Sequence, residues 1–375
     1  MHYYKGMHIP LPSVIALARH ELVGEHLSHA KKALSQESDW QEWINQIELH
    51  GLSGFANKHL AEHGLPIPSQ VSLPLKALKA RHTAAANARY QVLCEIDSVF
   101  KQNSIPYVAL KGAALMPYLF KEGYLRPMRD MDLLLPQEHL LKAAECMRSI
   151  GFDLPETQPS KFMRDTHQLP NASKTVNGML CSVEIHHNGV SRDTSGNLFY
   201  PKSADSFNVI SWGELKFQSL EDVQMLHQVT KHLQGVHPGG FLKLINVMDV
   251  VGLAEHILAS GQWQNLERRY PHVINALRCI HLLTPLPDSL QHQIGKINRR
   301  PEGVGQIMVS LTTILLQKRH FLKTFKLLFL PSDWWLHLYY NVNPNASLLW
   351  VKLVRHPLRI SNWLLRRAYS SLRGG

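Results

Sequence analysis

Two aspartates one residue apart, Asp130 and Asp132 in YLRPMRDMDLLLP, stand directly before a short apolar run and a proline. Met131 and Leu133 alternate with Asp130 and Asp132, the two-residue period of a β-strand. That period sets both carboxylates on one face and the apolar side chains on the other. Two like charges at neighbouring same-face positions repel, and one pKa rises unless a cation is shared between them. A hard divalent ion such as Mg2+ relieves the repulsion, taking oxygen ligands from one or two carboxylates and completing its shell with water and substrate phosphates. Taken alone, the pair reads as two solvated aspartates at a strand edge. Its surroundings change that reading.

A second strand-like stretch, GMLCSVEIHHN, places Leu180, Ser182, Glu184 and His186 on one face and Cys181, Val183 and Ile185 on the other. A third carboxylate, Glu184, thus follows Asp132 by 184 − 132 = 52 residues. Upstream, IPYVALKGAAL predicts a strand from Ile105 to Leu110, broken by Lys111-Gly112 and followed by the helix-compatible AALMPYLFKEG. Strand, glycine turn and helix in that order present backbone N–H groups at a helix N-terminus, where anions bind. Three carboxylates on adjacent strands beside such a turn form the arrangement that holds two metal ions for nucleotidyl transfer.

The stretches LKGAAL, LRPMRDMDLL and VEIHH are similar to the motifs of the bacterial uncharacterised nucleotidyltransferase family, within the DNA polymerase beta-like superfamily. DWQEWINQIELHGLSGFANKHL, LEDVQMLHQVTKHLQ, FLKLINVMDVVGL, QWQNLERRY and LFLPSDWWLHLYYNV resemble its flanking helical pattern, so the likeness runs from about residue 39 to about residue 360. The resemblance implies that Asp130 and Asp132 hold metal and that Glu184 is the third acid, either a ligand or the group that takes the proton from the attacking hydroxyl. It implies that Gly112 faces the triphosphate with Lys111 beside it. The superfamily usually carries Gly-Ser or Gly-Gly in that turn. Here the second position is Ala113, which leaves backbone N–H groups to do the work, aided by Lys111, Arg126 or Arg129 as phosphate partners.

Each of these residues also has a plainer reading. Lys111 is equally a solvated turn residue, Arg126 a structural brace for Asp130 or Asp132, and His186 a satisfied structural histidine as much as a nucleotide contact. Arg129 alternates away from the aspartate face. The resemblance matches His232 and Asp249 to positions that close over the site, and a helix–helix hydrogen bond accounts for them as well. Among the 23 histidines, His26 and His29, and His227, His232 and His237, lack the H-E-x-x-H spacing, so a zinc enzyme is not expected.

These residues need a scaffold. DWQEWINQIELHGL opens on Asp39, an N-cap residue, and spaces Trp40, Trp43, Ile44 and Ile47 along one helical face. A long helix is predicted from Pro74 towards Asn103, and PQEHLLKAAECMRSIGF predicts another that stops at Gly151. Short strands and helices in uneven alternation argue for an α+β fold: a small mixed β-sheet nucleotidyltransferase core with large helical regions on both sides. The expected division is a helical region 1–103, the core 104–218, a helical substrate-facing region 219–330 and a basic, aromatic tail 331–375. No G-x-x-x-x-G-K-[ST] loop surrounds the aspartates, which argues against a P-loop ATPase.

The 375 residues, 45% hydrophobic and 18% charged, have an ordinary globular composition. Four scattered cysteines read as reduced, buried thiols, the N-terminus lacks the pattern of a signal peptide, and no stretch is long and apolar enough for a membrane span. The cytoplasm is the expected location. Of the net charge of +11, residues 303–375 carry ten Lys/Arg against Asp333, hence +9. That tail suits nucleic acid, an anionic membrane surface or another polyanion, or else it is the solvated outer face of helices whose aromatics are core.

The expected function is Mg2+- or Mn2+-dependent transfer of a nucleoside monophosphate from an NTP such as ATP to a hydroxyl, with release of pyrophosphate. The acceptor (small molecule, RNA or protein), the base of the triphosphate and the oligomeric state leave no trace in the residues. The alternative is a non-catalytic nucleotide- or polyanion-binding regulatory protein on the same core.

Overall fold

The computed structural model describes residues 10–155, 168–189, 197–203, 206–234, 242–298 and 328–372. Helices α1 (Pro12–Ala16), α2 (Gly24–Ser35), α3 (Trp40–Leu49), α4 (Ser53–His63) and α5 (Ser69–Gln102) come first. Then follow β1 (Val108–Leu110), α6 (Lys111–Leu115), β2 (Asp130–Leu134), α7 (Leu140–Ser149), the hairpins β3 (Ala172–Val176) with β4 (Met179–His186) and β5 (Phe207–Trp212) with β6 (Leu215–Leu220), and helices α8 (Asp222–Gln234) and α9 (Leu244–Ala259). The chain divides into two compact units: Leu11–His232 with Lys243–Leu266, and a second drawn mainly from Glu267–Gly375.

The first unit carries one six-stranded mixed sheet in the order β3-β4-β2-β1-β6-β5. With helices before and after it, the fold is α+β. β1 runs antiparallel to β2 and parallel to β6, and β2 runs parallel to β4. β1 is central, and all three of its residues, Val108, Ala109 and Leu110, are buried. It is shorter than the predicted 105–110. The Ile105 N–H bonds the Phe100 carbonyl to close the end of α5, and Pro106 has no N–H to give a ladder.

α3 begins where its cap predicts: the Asp39 carboxylate accepts the N–H of Glu42 at 3.0 Å. Trp43 and Ile47 are fully buried, while Trp40 and Ile44 lie at the margin of that face. α5 starts at Ser69, five residues before the predicted Pro74, so Pro74 lies inside it. That early in a helix a proline removes one hydrogen bond from the first turns, which the rest of a 34-residue helix tolerates. Val71, Leu75, Leu78, His82, Ala86, Arg89, Leu93, Ile96 and Phe100 recur at three and four and make its buried stripe. α5 packs on β4 and α7, and α6 packs on β1 and β2.

The β3–β4 hairpin closes through Asn177-Gly178, both at positive φ (51° and 73°), the two-residue turn whose twist matches antiparallel strands. In the second unit, α10 (Trp263–Arg269) overlaps the boundary and is followed by α11 (Pro271–Leu283), α12 (Asp288–Ile294), α13 (Asp333–Tyr340) and α14 (His356–Leu372). There Trp334 donates its indole N–H to the Cys279 carbonyl at 2.7 Å. Tyr340 OH and the Leu328 carbonyl hold the two nitrogens of buried His356 at 2.8 and 2.6 Å. Trp334, Trp335 and Tyr340 of the basic, aromatic tail are thus core, whereas Trp350 is 68% exposed. The four cysteines are unpaired, and among the described residues no helix is long and apolar enough to cross a membrane.

Candidate active site

Strand register builds the site. Asp132 pairs with Glu184 across the parallel β2–β4 ladder and with Leu110 across β1–β2, so the two acids and the residue before Lys111 lie in one row. Asp130 pairs with Ser182 one step along the same face, and His186 lies one step beyond Glu184. Met131, Leu133, Val183 and Ile185 occupy the opposite face and are buried. The period of two therefore does the chemical sorting: carboxylates to one side, core to the other.

Asp132 is 3% exposed and is held from two sides. The Lys111 ammonium lies 2.5 Å from its Oδ1, and His186 Nε2 lies 2.9 Å from the same oxygen. Burial alone would raise the Asp132 pKa, but the Lys111 charge and the His186 hydrogen bond overcome it and hold the carboxyl well below the usual range. Lys111 responds in kind. Burial opposes its charge, yet Asp132, Asp130 and Glu184 together raise its pKa. Glu184 is half-buried, and burial with the nearby charges of Asp132 and Asp130 pushes its pKa up.

The donor set fits a divalent cation. Ligand atoms of Asp132, Glu184 and His186 all lie within 4.8 Å of one another, and Glu184 sits in an excess of negative charge that a cation would relieve. Asp130 is half-buried on the same face but stands outside this group of three. Of the predicted metal residues, the structure thus brings Asp132 and Glu184 together, sets Asp130 beside them, and adds His186.

The turn between β1 and α6 differs in detail from the predicted glycine turn. Lys111, not Gly112, takes the left-handed conformation, at φ 45°. Such strain in a non-glycine residue persists only where the surroundings over-determine it, and Lys111 is anchored here by its ion pair with buried Asp132. Gly112 is required for another reason: a Cβ on it would stand 2.3 Å from Nη1 of Arg126 and 3.2 Å from the Met128 Cβ. Ala113 is fully buried.

Arg126 is buried and forms a two-pronged ion pair with Asp249 of α9, Nε to Oδ1 at 3.0 Å and Nη2 to Oδ2 at 2.6 Å. Its guanidinium thus braces the approach to β2 against α9, while Nη1 lies over Gly112. Arg129 is exposed, and its carbonyl accepts from Arg89 at 3.3 Å. His232 retains solvent access on α8. The protein around it, then the charge of Lys111, lower its pKa.

Two further cations face the acids. Arg89, on the buried stripe of α5, lies within electrostatic reach of Asp130, and Lys243 lies near Arg129, Asp130 and Arg126. Arg89 had a signal in the sequence, a charged residue at a core position of a three-and-four repeat. Lys243 had none, because only the fold returns the segment before α9 to the sheet.

A carboxylate row at the mouth of a mixed sheet, with lysine and arginine partners, suits the binding of a nucleoside triphosphate and a metal. The family model described as uncharacterised nucleotidyltransferase matches residues 36–286. The chain belongs to that family. It is therefore a nucleotidyl-transfer enzyme, which decides between the catalytic and non-catalytic readings of the sequence. No curated protein matches the nucleotidyltransferase. Among solved structures, its fold is similar to the antibiotic-resistance factor ANT(2'')-Ia in solution, at 11% identity and TM-score 0.35, covering 52% of this chain and 97% of that one. The crystal structure of ANT(2'')-Ia with adenylyl-2''-tobramycin matches at 11% identity and TM-score 0.34, over 48% of this chain and 98% of that one.

Proposed function

We propose that this nucleotidyltransferase moves a nucleoside monophosphate from an NTP to a hydroxyl of an acceptor, dependent on Mg2+ or Mn2+. The observation that carries the proposal is the cross-strand pairing of Asp132 with Glu184 beside Lys111. A divalent cation held by Asp132 and Glu184, with Asp130 and His186 beside them, would supply positive charge to the triphosphate and to the attacking oxygen. The acceptor oxygen forms a bond to the α-phosphorus, the bond to the bridging oxygen breaks, and pyrophosphate leaves with that electron pair. The hydroxyl proton passes to a base. Glu184 can take that role only where it stands beside the cation and does not ligate it; as a ligand it leaves the proton to solvent. Lys111, Lys243 and the first-turn N–H groups of α6 around Gly112 and Ala113 face the phosphates, and Arg126 holds that turn in place.

The test is transfer of label from α-phosphate-labelled triphosphates, each base separately with Mg2+ or Mn2+, into a desalted cell extract. Label should enter a new species with the native protein and not with Asp130→Asn/Asp132→Asn. Folded native protein that labels nothing with any base would overturn the proposal.

Lys243 adds a pH dependence. Burial, then the neighbouring Arg129, lowers its pKa to about 8. Its cationic form is the one that binds phosphate, so the KM for triphosphate should rise as pH climbs through about 8. A hydrogen bond to a charged group contributes about 1.5–3 kcal/mol, so Lys243→Met should raise KM about 10- to 100-fold. It should also flatten that pH dependence, as initial rates across the pH series would show.

We also infer that the C-terminal region meets an anionic lipid surface. The helical run 349–365 turns Leu349, Trp350, Leu353, Leu358 and Leu365 outward, within residues 331–375, whose six Lys/Arg against Asp333 give a net +5. Sedimentation with vesicles should require anionic lipid and weaken in Leu353→Glu/Leu358→Glu. Equal sedimentation of both proteins would exclude that surface.

A further inference from the structure

The last two turns of α4 hold a second group of metal-ligating side chains, remote in sequence from the carboxylate row. His59, Glu62 and His63 follow the spacing i, i+3, i+4 and present their donor atoms on one side of the helix. His59 is fully buried. Its Nε2 lies 2.9 Å from the Arg19 carbonyl, which only accepts, so Nε2 carries the proton and Nδ1 bears the lone pair. That Nδ1 is buried and has no hydrogen-bond partner. An unsatisfied buried acceptor in a native core calls for a partner.

What Nδ1 faces supplies one. Oε2 of Glu62 lies 3.9 Å from it, and the same oxygen lies 3.8 Å from Nε2 of His63. None of these separations is a hydrogen bond, yet all three atoms lie within 4.8 Å of one another. Tetrahedral coordination with bonds of about 2.0–2.2 Å sets ligand atoms about 3.3–3.6 Å apart. The two separations to Glu62 need to close by less than an ångström and the one between the imidazoles by at most about 1.5 Å, and the movable members are the outer two: Glu62 is 46% and His63 22% exposed. The Lys58 ammonium, 4.0 Å from the other oxygen, Oε1, is itself anchored on the His20 carbonyl at 3.0 Å, so it leaves Oε2 to the imidazoles.

We propose that His59, Glu62 and His63 bind a zinc ion, with water in the fourth position. Two imidazoles and one carboxylate suit Zn2+ over Mg2+ or Ca2+, which take oxygen ligands. The Arg19 carbonyl does what the outer partner of a metal-bound histidine does, fixing tautomer and ring orientation. Burial keeps the His59 imidazole neutral at pH 7, its pKa lowered to about 4, so no proton must leave before the ion binds. All three ligands lie on α4, so the ion would staple the last turns of that helix and hold the His59 ring against the Arg19 carbonyl.

The test is competition of the full-length native protein with a chromophoric chelator for Zn2+, with His63→Ala and Glu62→Gln in parallel. His63 is the last residue of α4 and partly exposed, so its removal spares the fold, as thermal melts without metal would verify. The native protein should bind one equivalent that His63→Ala loses, and Glu62→Gln should bind it at least tenfold more weakly. Co2+ in its place should give visible d–d bands without thiolate charge-transfer absorption, and Zn2+ should raise the melting temperature of the native protein but not of His63→Ala. Identical zinc stoichiometry and affinity in all three proteins, or charge transfer from a cysteine, would overturn the assignment.

Discussion

Asp132→Asn is expected to cut nucleotidyl transfer by about 10^2- to 10^3-fold, the scale on which a pre-organised electrostatic group acts. The difficulty is that Asp132 also holds the fold together. Its carboxylate is buried against Lys111 at 2.5 Å, and Asn leaves the ammonium without a counter-charge. Removing one member of a buried ion pair costs about 3–5 kcal/mol, so lost activity alone would not separate chemistry from folding. Asp132→Asn/Lys111→Met separates folding from the chemistry of the Asp132–Lys111 pair taken together. Replacing both members restores most of the stability, because the uncompensated charge is gone. Transfer should remain as low although the protein melts near the native temperature. Activity recovered together with stability would reduce Asp132 to a structural residue. The acid side provides a second readout. Asp132 has a depressed folded pKa, so its contribution is complete above the unfolded carboxylate value of about 3.9 and is lost as pH falls towards the folded value. The double variant should lose that part of the acid sensitivity.

The legible part of this site was the part that a local period encodes. Asp130, Asp132 and Glu184 announce their shared face because strands alternate, and the apolar neighbours that alternate with them are buried as expected. Asp39 announced the start of α3 because a cap acts over three residues. What was not legible came from contacts far apart in the chain. The strand β3, with its Asn177-Gly178 turn, is only five residues long, and ASKTV has too little apolar alternation to separate it from the polar stretch before it. The left-handed conformation at Lys111 accompanies an ion pair across 21 residues, and the need for Gly112 follows from the Arg126 guanidinium above it. Local propensity would have assigned both to the glycine. His59, Glu62 and His63 carry no signal in the sequence for a related reason: their spacing gains meaning only when the Arg19 carbonyl turns His59 Nδ1 towards Glu62.

The Arg126–Asp249 pair spans 123 residues, and removing one member alone should be among the costliest single changes in the sheet-bearing unit. Both side chains are buried, at 7% and 3% exposure, and both oxygens of Asp249 are engaged. Asp249→Ala strands a guanidinium that cannot shed its proton, so the expected loss is about 3–5 kcal/mol, a drop in melting temperature on the order of 10 °C. Arg126→Met/Asp249→Leu should recover most of that loss, since the desolvation of both charges is removed with them. Gly112→Ala then reports what the pair does for the site. In the native background the new Cβ meets Arg126 Nη1 at 2.3 Å and must displace a guanidinium fixed by Asp249. In the double variant the obstacle is a flexible methionine. The two sites should therefore be strongly non-additive in chemical denaturation, with Gly112→Ala destabilising only where Arg126 is present. Additive losses would mean that Gly112 is needed for Met128, whose Cβ would stand 3.2 Å from the new methyl group, and not for the ion pair. Transfer activity in the double variant resolves the remaining role of Arg126. If the arginine only braces the turn, triphosphate KM should stay within about threefold of native, less than one hydrogen bond to a charged group would contribute. A rise beyond tenfold would mean that Nη1, above Gly112, reaches the phosphates directly.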